Sequence, residues 1–284
     1  DECQFNCTYC YQQDQNARLS VTKGLHLDAW KIVLHKLARL DFEFEIRILG
    51  GEPSLHPNLV EIIERLEEIE NCKYITVFTN LTKTADYYLQ FDKPGTKLVI
   101  QSSFHVEYHH KLFKRFLDVK LAVEHLQFNV NVVLYPKEEY FEHTLKFIRA
   151  LEDNNIDFMT TVTRTNKYWD GKFDEGFYEI FEKWIDDSIR LGLTPETSPH
   201  TLKNGETVEI DLHQLLKNDI DYYGFRCKTL MYEISAAGEI YNMCTYERLP
   251  VMPKEEDFKK EVMCPVKELC SCSDMLFSKK ERVK

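Results

Sequence analysis

Three closely spaced cysteines at the start of the chain have the residue type and spacing of a metal site. Cys3, Cys7 and Cys10 lie within eight residues of one another. Three thiolates on one short loop can hold an iron–sulfur cluster, and in a four-iron cluster they leave one iron open to a substrate group. Three cysteines with a histidine can also bind zinc, so the spacing alone leaves both metals open.

A second motif follows a short β-prone segment, residues 44–49. Gly50 and Gly51 allow a ligand to approach the backbone closely, and Glu52 offers a carboxylate to an ammonium group. Standing alone, such a motif is a weak signal and is more often an ordinary strand-to-helix turn.

Strand-like and helix-like segments alternate along the first two thirds of the chain. The predicted strands are residues 44–49, 74–79, 97–102, 128–135 and 158–163, and the predicted helices are 27–41, 58–70, 84–91, 112–126, 140–151 and 175–191. This alternation predicts an α/β fold with a parallel sheet, whose ligands bind at the carboxyl ends of the strands. Gly50–Glu52, Thr79-Asn80 and Ser102-Ser103 lie at such ends, so we expect them to converge. We also expect a further strand upstream of residue 1.

The pattern changes near residue 194, where turn-forming residues become frequent. Segments 230–234 and 239–243 flank Gly238 and predict a β-hairpin. Five of the nine cysteines lie in this region: Cys227, Cys244, Cys264, Cys270 and Cys272. We therefore divide the chain into a domain of residues 1–193 and a small module of residues 194–284, whose slight core a metal would help to hold.

Composition excludes several classes of function. The nine cysteines form two groups and a singleton, Cys72, which favours metal thiolates in a reducing cytoplasm over disulfides. A formal net charge of -11 argues against nucleic acid as the main partner. The chain has no long apolar run, so we expect no membrane span.

Taken together, the two motifs resemble those of the radical S-adenosylmethionine superfamily. Its Cys-x-x-x-Cys-x-aromatic-Cys pattern is matched by Cys3, Cys7, Tyr9 and Cys10, and its Gly-Gly-Glu motif by Gly50, Gly51 and Glu52. The resemblance implies a partial (β/α)6 barrel over about residues 1–190, with a 4Fe-4S cluster and S-adenosylmethionine as cofactors. It also implies that Tyr9 contacts the adenine, that the Gly-Gly-Glu motif binds the methionine amino group, and that Ser102 or Ser103 meets the ribose. The adenine-binding Gly-x-Ile-x-Gly stretch of the family is absent from residues 130–135.

The later cysteines resemble the SPASM and twitch modules of the same superfamily. This resemblance implies one auxiliary 4Fe-4S cluster held by Cys227, Cys244, Cys270 and Cys272, with Cys264 able to replace one of the last two. A structural zinc site is the alternative. The surplus thiol, Cys264, is a candidate hydrogen-atom donor, as in peptide epimerases of the superfamily. Cys72 is a second candidate, for which a buried inert thiol is the other interpretation.

The expected function is radical chemistry on a peptide or a small polar metabolite. The reaction would be dehydrogenation, epimerisation or bond formation, with a reductant such as flavodoxin or ferredoxin. An aminocyclitol or sugar alcohol dehydrogenase, and a non-catalytic iron–sulfur or zinc protein, are the alternatives. The molybdenum-cofactor cyclising enzymes end in Gly-Gly, whereas this sequence ends in Val283-Lys284, so we expect a different reaction.

Four side chains at or after strand ends are expected either to line the substrate pocket or to pack within the fold: Asn80, Arg164, Tyr168 and Trp169. We predict no functional role for His105 and the histidines close to it in the sequence.

Overall fold

The fold is taken from a computed structural model of the chain. It describes residues 3–7, 10, 27–109, 113–135 and 138–162, followed by shorter segments: 182–183, 185–187, 189–190, 196–201, 207–211, 213, 225–228, 232–234, 238–242, 247–250, 252–258, 262–263 and 279–282. Contacts between Cα atoms divide the chain into two compact units. The first consists of residues 1–30 and 43–181, and the second of residues 31–42 and 182–284.

The first unit is built on a five-stranded parallel sheet. Its strands are β1 (Phe44–Ile48), β2 (Cys72–Thr79), β3 (Leu98–His105), β4 (Gln127–Leu134) and β5 (Phe158–Val162). They follow one another across the sheet in chain order, and each neighbouring pair is parallel. Among the described strands, β1 and β5 lie at the two edges of this unclosed sheet, which confirms the expected α/β fold and partial (β/α) barrel.

Helices connect the strands, as the parallel pairing requires. α1 (Leu27–Leu37) precedes β1, and the connecting helices are α2 (Leu59–Glu67), α3 (Ala85–Leu89), α4 (Val106–His109), α5 (Phe113–Ala122) and α6 (Glu138–Asp153). In α2 the buried side chains Leu59, Ile62, Ile63 and Leu66 recur at helical spacing, which gives the helix one apolar face. The sequence predicted α1, α2, α3, α5 and α6 to within four residues at each end, but it did not predict α4. Most of the predicted helix 175–191 lies outside the described residues.

The two faces of the sheet differ in chemistry. One row across the sheet consists of aligned apolar side chains, all less than 10% exposed: Ile48, Val77, Ile100 and Phe128. Further along the same face, Phe104 stacks on Phe147 of α6 at 3.7 Å between ring centroids and meets Phe116 of α5 edge-on. This face is therefore the one that the helices cover.

Alternate residues of the same strands point to the opposite face. Their aligned rows contain polar side chains: Phe78, Gln101 and Asn129 in one row, and Ser103, Asn131 and Met159 in the next. Met159 is 55% exposed, whereas Gln101 is 9% exposed. The opposite face, the polar face of the sheet, thus carries neutral hydrogen-bonding groups.

The second unit contains short antiparallel pairs. Its strands are β6 (Thr197–Thr201), β7 (Thr207–Asp211), β8 (Phe225–Lys228), β9 (Tyr232–Ile234), β10 (Ile240–Asn242), β11 (Val262–Met263) and β12 (Lys279–Arg282), and it also has a helical turn, α7 (Glu255–Phe258). β9 and β10 pair antiparallel, which confirms the predicted hairpin, and Gly238 between them has φ +73°. β8 lies between β11 and β12 and carries Cys227.

No helix in the described parts of the chain is both long and apolar enough to cross a membrane.

Candidate active site

The cysteine loop supplies three thiols from one short segment. Cys3 is exposed, Cys7 is buried and Cys10 is partly buried, and none of them forms a disulfide. The backbone N–H of Phe5 donates to Cys3 Sγ at 3.4 Å, and that of Cys10 donates to the carbonyl of Cys7 at 3.0 Å. The loop therefore turns tightly and directs a backbone donor at one of its own sulfur atoms. Tyr9 lies outside the described residues.

Aromatic stacking holds this loop against the end of β3. The ring of Phe5 stacks on Tyr108 of α4, with 4.4 Å between centroids and 5° between planes, and meets His105 edge-on at 6.2 Å. The backbone N–H of Asn6 also donates to the Tyr108 hydroxyl at 2.9 Å. A stacked pair contributes about 0.5–1.5 kcal/mol beyond its buried area, so this contact is a substantial anchor for an exposed loop.

The Gly-Gly-Glu segment lies between the end of β1 and a single 3-10 turn, Pro53–Leu55. Glu52 caps this turn, and its carboxylate is only 3% exposed. One oxygen accepts from the Ser54 N–H at 3.0 Å and from the Thr79 hydroxyl at 2.7 Å, and the other accepts from the Asn80 N–H at 2.6 Å. The carboxylate thus joins the segment after β1 to the end of β2.

Asn80 connects the Gly-Gly-Glu segment to the cysteine loop. Besides its backbone bond to Glu52, its side-chain amide donates to Cys3 Sγ and to Gln4 Oε1, both at 3.4 Å. Gln4 in turn donates to the Thr82 hydroxyl at 2.8 Å. The two motifs that the sequence singled out are therefore brought together by one residue at the end of β2.

A left-handed residue directly follows Asn80. Leu81 has φ +54°, a conformation that costs a residue with a Cβ about 1–2 kcal/mol. Its side chain is completely buried, and its N–H donates to the Thr79 hydroxyl at 3.1 Å. Burial of the leucine side chain offsets the backbone strain and fixes the turn that places Asn80.

The two serines of β3 lie on opposite faces of the sheet. β3 continues to His105, three residues beyond its predicted end, because its pairing with β4 extends as far as Val133. Ser102 is fully buried on the helix-covered face and donates to the carbonyl of Asn129 at 2.9 Å. Ser103 is half-buried on the polar face. Both serines lie within β3, so the expectation that they lie at its carboxyl end was wrong.

Burial shifts the pKa values of two groups around the loop. Desolvation raises the pKa of the Cys3 thiol, and the hydrogen bond from the Phe5 N–H opposes this effect. Desolvation also lowers the pKa of His105 to about 4, which leaves its imidazole neutral at pH 7. The ring that meets Phe5 is therefore an uncharged aromatic group.

Cys72 lies away from this region, and most of the later cysteines lie outside the described residues. Cys72 is fully buried at the start of β2, the end of the strand opposite Thr79, and burial raises its pKa to about 11. This placement agrees with an inert buried thiol. Of the later cysteines only Cys227 falls on a described strand, while Cys244, Cys264, Cys270 and Cys272 lie outside the described residues, as do Arg164, Tyr168 and Trp169. Within the described part, no three His, Cys, Asp or Glu side chains form a group that could hold a single metal ion.

The chain belongs to the Radical SAM superfamily, whose sequence pattern matches residues 1–170. Membership implies a 4Fe-4S cluster and S-adenosylmethionine, and the donor set fits a cluster. Three thiols free of disulfides lie on one loop, and N–H donors are directed at Cys3 Sγ.

Individual relatives share less of the sequence. The GTP 3′,8-cyclase of Clostridium perfringens strain SM101 is 27% identical over 99 residues, which cover 35% of this chain and 30% of that protein. The GTP 3′,8-cyclase of Cronobacter sakazakii is 34% identical over 35% of this chain and 30% of its own length. The one from Haemophilus influenzae Rd is 25% identical over 71% of this chain and 62% of its own length. The chain thus spans between about three tenths and three fifths of the length of these relatives.

Among solved structures, Streptococcus suis SuiB bound to S-adenosylmethionine is 18% identical, with a TM-score of 0.43 over 67% of this chain and 43% of that one. SuiB bound to its precursor peptide SuiA is 15% identical, with a TM-score of 0.46 over 67% of this chain and 44% of that one.

Sequence reasoning did not find three residues that build the site. Phe5 and Tyr108 are far apart in the sequence, and nothing in their spacing indicates that they stack. Leu81 gives no signal either, because glycine or asparagine is the usual residue at a positive φ. The sequence predicts that Asn80 lies near the Gly-Gly-Glu segment, which its bond to Glu52 confirms, but it does not predict the contact of Asn80 with Cys3.

Proposed function

We propose that this chain is an enzyme that cleaves S-adenosylmethionine reductively and abstracts a hydrogen atom from a peptide or a small polar metabolite. The observation that carries the proposal is the link through Asn80, which contacts both Glu52 and Cys3. In a member of the Radical SAM superfamily, this link brings a three-thiol loop next to a loop suited to bind an amino acid.

Cys3, Cys7 and Cys10 would hold the cluster, and Gly50 and Gly51 would let the methionine group approach the backbone. The bound cofactors would supply an electron and a 5′-deoxyadenosyl radical. The chain itself would bind and orient the reactants and exclude water from them. Tyr9 would contact the adenine.

Glu52 would bind the amino group of S-adenosylmethionine through a carboxylate that the protein already holds in place. Its carboxylate already accepts three hydrogen bonds, and an ionised carboxylate has about four acceptor sites. One site therefore remains for the amino group of S-adenosylmethionine. A carboxylate fixed in this way does not need to reorganise when the ligand binds, which lowers the cost of binding.

Of the two serines, Ser103 is the better candidate for a ribose contact. Its side chain lies on the polar face of the sheet, whereas Ser102 already donates to a backbone carbonyl on the helix-covered face. A Ser103→Ala variant should weaken S-adenosylmethionine binding, and a Ser102→Ala variant should instead lower stability.

The polar face also bears on the substrate. Gln101, Asn129, Asn131 and Ser103 offer neutral donors and acceptors, of the kind that pair with amide or hydroxyl groups. The one arginine or lysine at an aligned position on the described strands of this face is Arg47, which lies 4.0 Å from Glu45. Neutral groups favour a peptide or a polyol over a polyphosphate, which binds best to clustered arginine and lysine.

For the second unit we propose one auxiliary cluster, held by Cys227, Cys244, Cys270 and Cys272, with Cys264 as a substitute ligand or a hydrogen-atom donor. An auxiliary cluster could accept an electron in the oxidation of a sugar alcohol. A zinc site with the same ligands is the alternative. Flavodoxin or ferredoxin would serve as the external reductant.

Anaerobic reconstitution tests the proposal. Two four-iron clusters predict about eight irons per chain, and addition of dithionite and S-adenosylmethionine should yield 5′-deoxyadenosine. Cys7→Ala should lose about four irons and all of the nucleoside, while Cys72→Ala, the matched control, should keep both. Zinc without iron, or nucleoside formation that survives in Cys7→Ala, would contradict the proposal.

A substrate panel would then narrow the class. It should contain short peptides, polyols and GTP, the last because the names of several relatives specify it. Transfer of deuterium from a labelled substrate into 5′-deoxyadenosine would identify the compound that reacts. Deuterium transfer from GTP alone would contradict the substrate class proposed here.

A further inference from the structure

The side-chain amide of Asn80 donates a hydrogen bond to the cysteine loop. The Asn80 side chain is 5% exposed, and its amide nitrogen lies 3.4 Å from Cys3 Sγ and 3.4 Å from Gln4 Oε1. Both partners are acceptors, which orients the amide with its NH2 group towards them. A buried donor thus points at a sulfur atom expected to ligate iron.

The backbone around Asn80 holds this donor in place. Its own N–H donates to Glu52 Oε2 at 2.6 Å, and the next residue, Leu81, is fixed in a left-handed turn with its side chain buried. The backbone that carries the amide is therefore fixed, and the amide nitrogen lies within hydrogen-bond distance of Cys3 Sγ and Gln4 Oε1. A donor at this position would act on the cluster in both of its oxidation states.

A hydrogen bond to a ligating sulfur atom changes the reduction potential of an iron–sulfur cluster. Reduction adds negative charge to the cluster and its sulfur ligands, and an N–H dipole directed at the sulfur stabilises this charge. The bond therefore favours the reduced form. Without it, the cluster is harder to reduce.

We infer that Asn80 is a positioning and tuning residue, which raises the reduction potential of the cluster at Cys3, Cys7 and Cys10 through its hydrogen bond to Cys3 Sγ. The inference rests on the proposed function, since it needs a cluster on these thiolates. The Phe5 N–H is a second donor to the same sulfur atom. Unlike that backbone group, the Asn80 donor can be removed by a single substitution.

The test is a redox titration of the reconstituted chain, in which electron paramagnetic resonance measures the amount of reduced cluster at each potential. Asn80→Ala and Asn80→Leu remove the donor with a smaller and a similar-sized side chain. Each should lower the ratio of reduced to oxidised cluster at a fixed potential about tenfold, which is ~59 mV for a one-electron couple. A variant with Cys3, Cys7 and Cys10 replaced by alanine gives the signal of any auxiliary cluster for subtraction.

Gln4→Ala is the matched control. It removes the other acceptor of the Asn80 amide and the bond to Thr82, and it leaves the donor to sulfur in place. If Asn80 only docks the loop, the Asn80 and Gln4 variants should change the potential equally. A lower potential in the Asn80 variants alone, at unchanged iron content, supports tuning.

A second measurement uses the unaltered chain, so it does not depend on how the variants fold. Protein labelled with nitrogen-15 in the asparagine side-chain amide should show a nitrogen-15 coupling to the reduced cluster by pulsed resonance. Absence of this coupling, or an unchanged potential in Asn80 variants that retain their iron, overturns the inference alone. Failure of the unaltered chain to bind iron at the cysteine loop overturns the proposed function with it.

Discussion

Replacing Glu52 by glutamine should destabilise the first unit strongly, although the two side chains have almost the same shape. The carboxylate accepts from the N–H groups of Ser54 and Asn80 and from the Thr79 hydroxyl. A glutamine amide has only one oxygen. In either orientation its NH2 group faces one of the two backbone N–H groups, which then loses its acceptor.

The size of the effect follows from these contacts. A buried N–H group left without an acceptor costs about 1–3 kcal/mol, and a hydrogen bond to a charged acceptor is stronger by about 1 kcal/mol than one to a neutral acceptor. With one donor unpaired and the remaining bonds weakened, Glu52→Gln should lower the local stability by about 3 kcal/mol. Because every 1.4 kcal/mol is a factor of ten, amides of β2 should exchange about a hundredfold faster with solvent.

Hydrogen exchange with mass spectrometry, on peptides that cover residues 72–79, measures this change in the full chain. Glu64→Gln on the exposed side of α2 is the control, since surface substitutions usually change stability by less than about 0.5 kcal/mol. If exchange in Glu52→Gln equals that in Glu64→Gln, the argument that Glu52 joins the two segments is wrong.

Three further predictions concern the stability of the first unit. Leu81→Gly should lower the free energy of unfolding in urea by about 2 kcal/mol, because the lost buried side chain outweighs the relief of backbone strain at φ +54°. Phe104→Ala should lower it by about 3–5 kcal/mol, since its ring stacks on Phe147 in the buried layer. Partial burial would raise the pKa of Asp92, but hydrogen bonds from three backbone N–H groups, led by that of Glu124, lower it. The stability that Asp92 contributes is complete above its unfolded pKa of about 3.9 and is lost as the pH falls through its folded pKa, so acid titration of Asp92→Asn should show a flatter loss of stability. A steeper loss in that variant, or unchanged urea midpoints in the other two, would contradict these assignments.

The strands of the first unit could be predicted because their signal is local. Residues 74–79 and 128–135 are rich in β-branched and aromatic side chains, and the helices between them repeat apolar residues at helical spacing. Parallel pairing then follows from the alternation of elements. Only the ends were uncertain, as β3 shows, because the end of a strand depends on how far its neighbour continues to pair with it.

The contacts within the site could not be predicted because they are non-local. Glu52 meets Thr79 across 27 positions, and Phe5 stacks on a tyrosine in α4. The choice between Ser102 and Ser103 needed the register of β3 against β4, since adjacent residues of a strand point to opposite faces. The auxiliary cluster and its ligands stay a prediction.

The central claim is that the cluster on Cys3, Cys7 and Cys10 binds S-adenosylmethionine directly. Electron–nuclear double resonance of the reduced protein measures this with S-adenosylmethionine labelled with nitrogen-15 in its amino group and oxygen-17 in its carboxylate. Direct chelation predicts couplings from both labels, which disappear in Cys7→Ala. A reduced four-iron cluster that shows neither coupling in the presence of saturating S-adenosylmethionine would contradict the account.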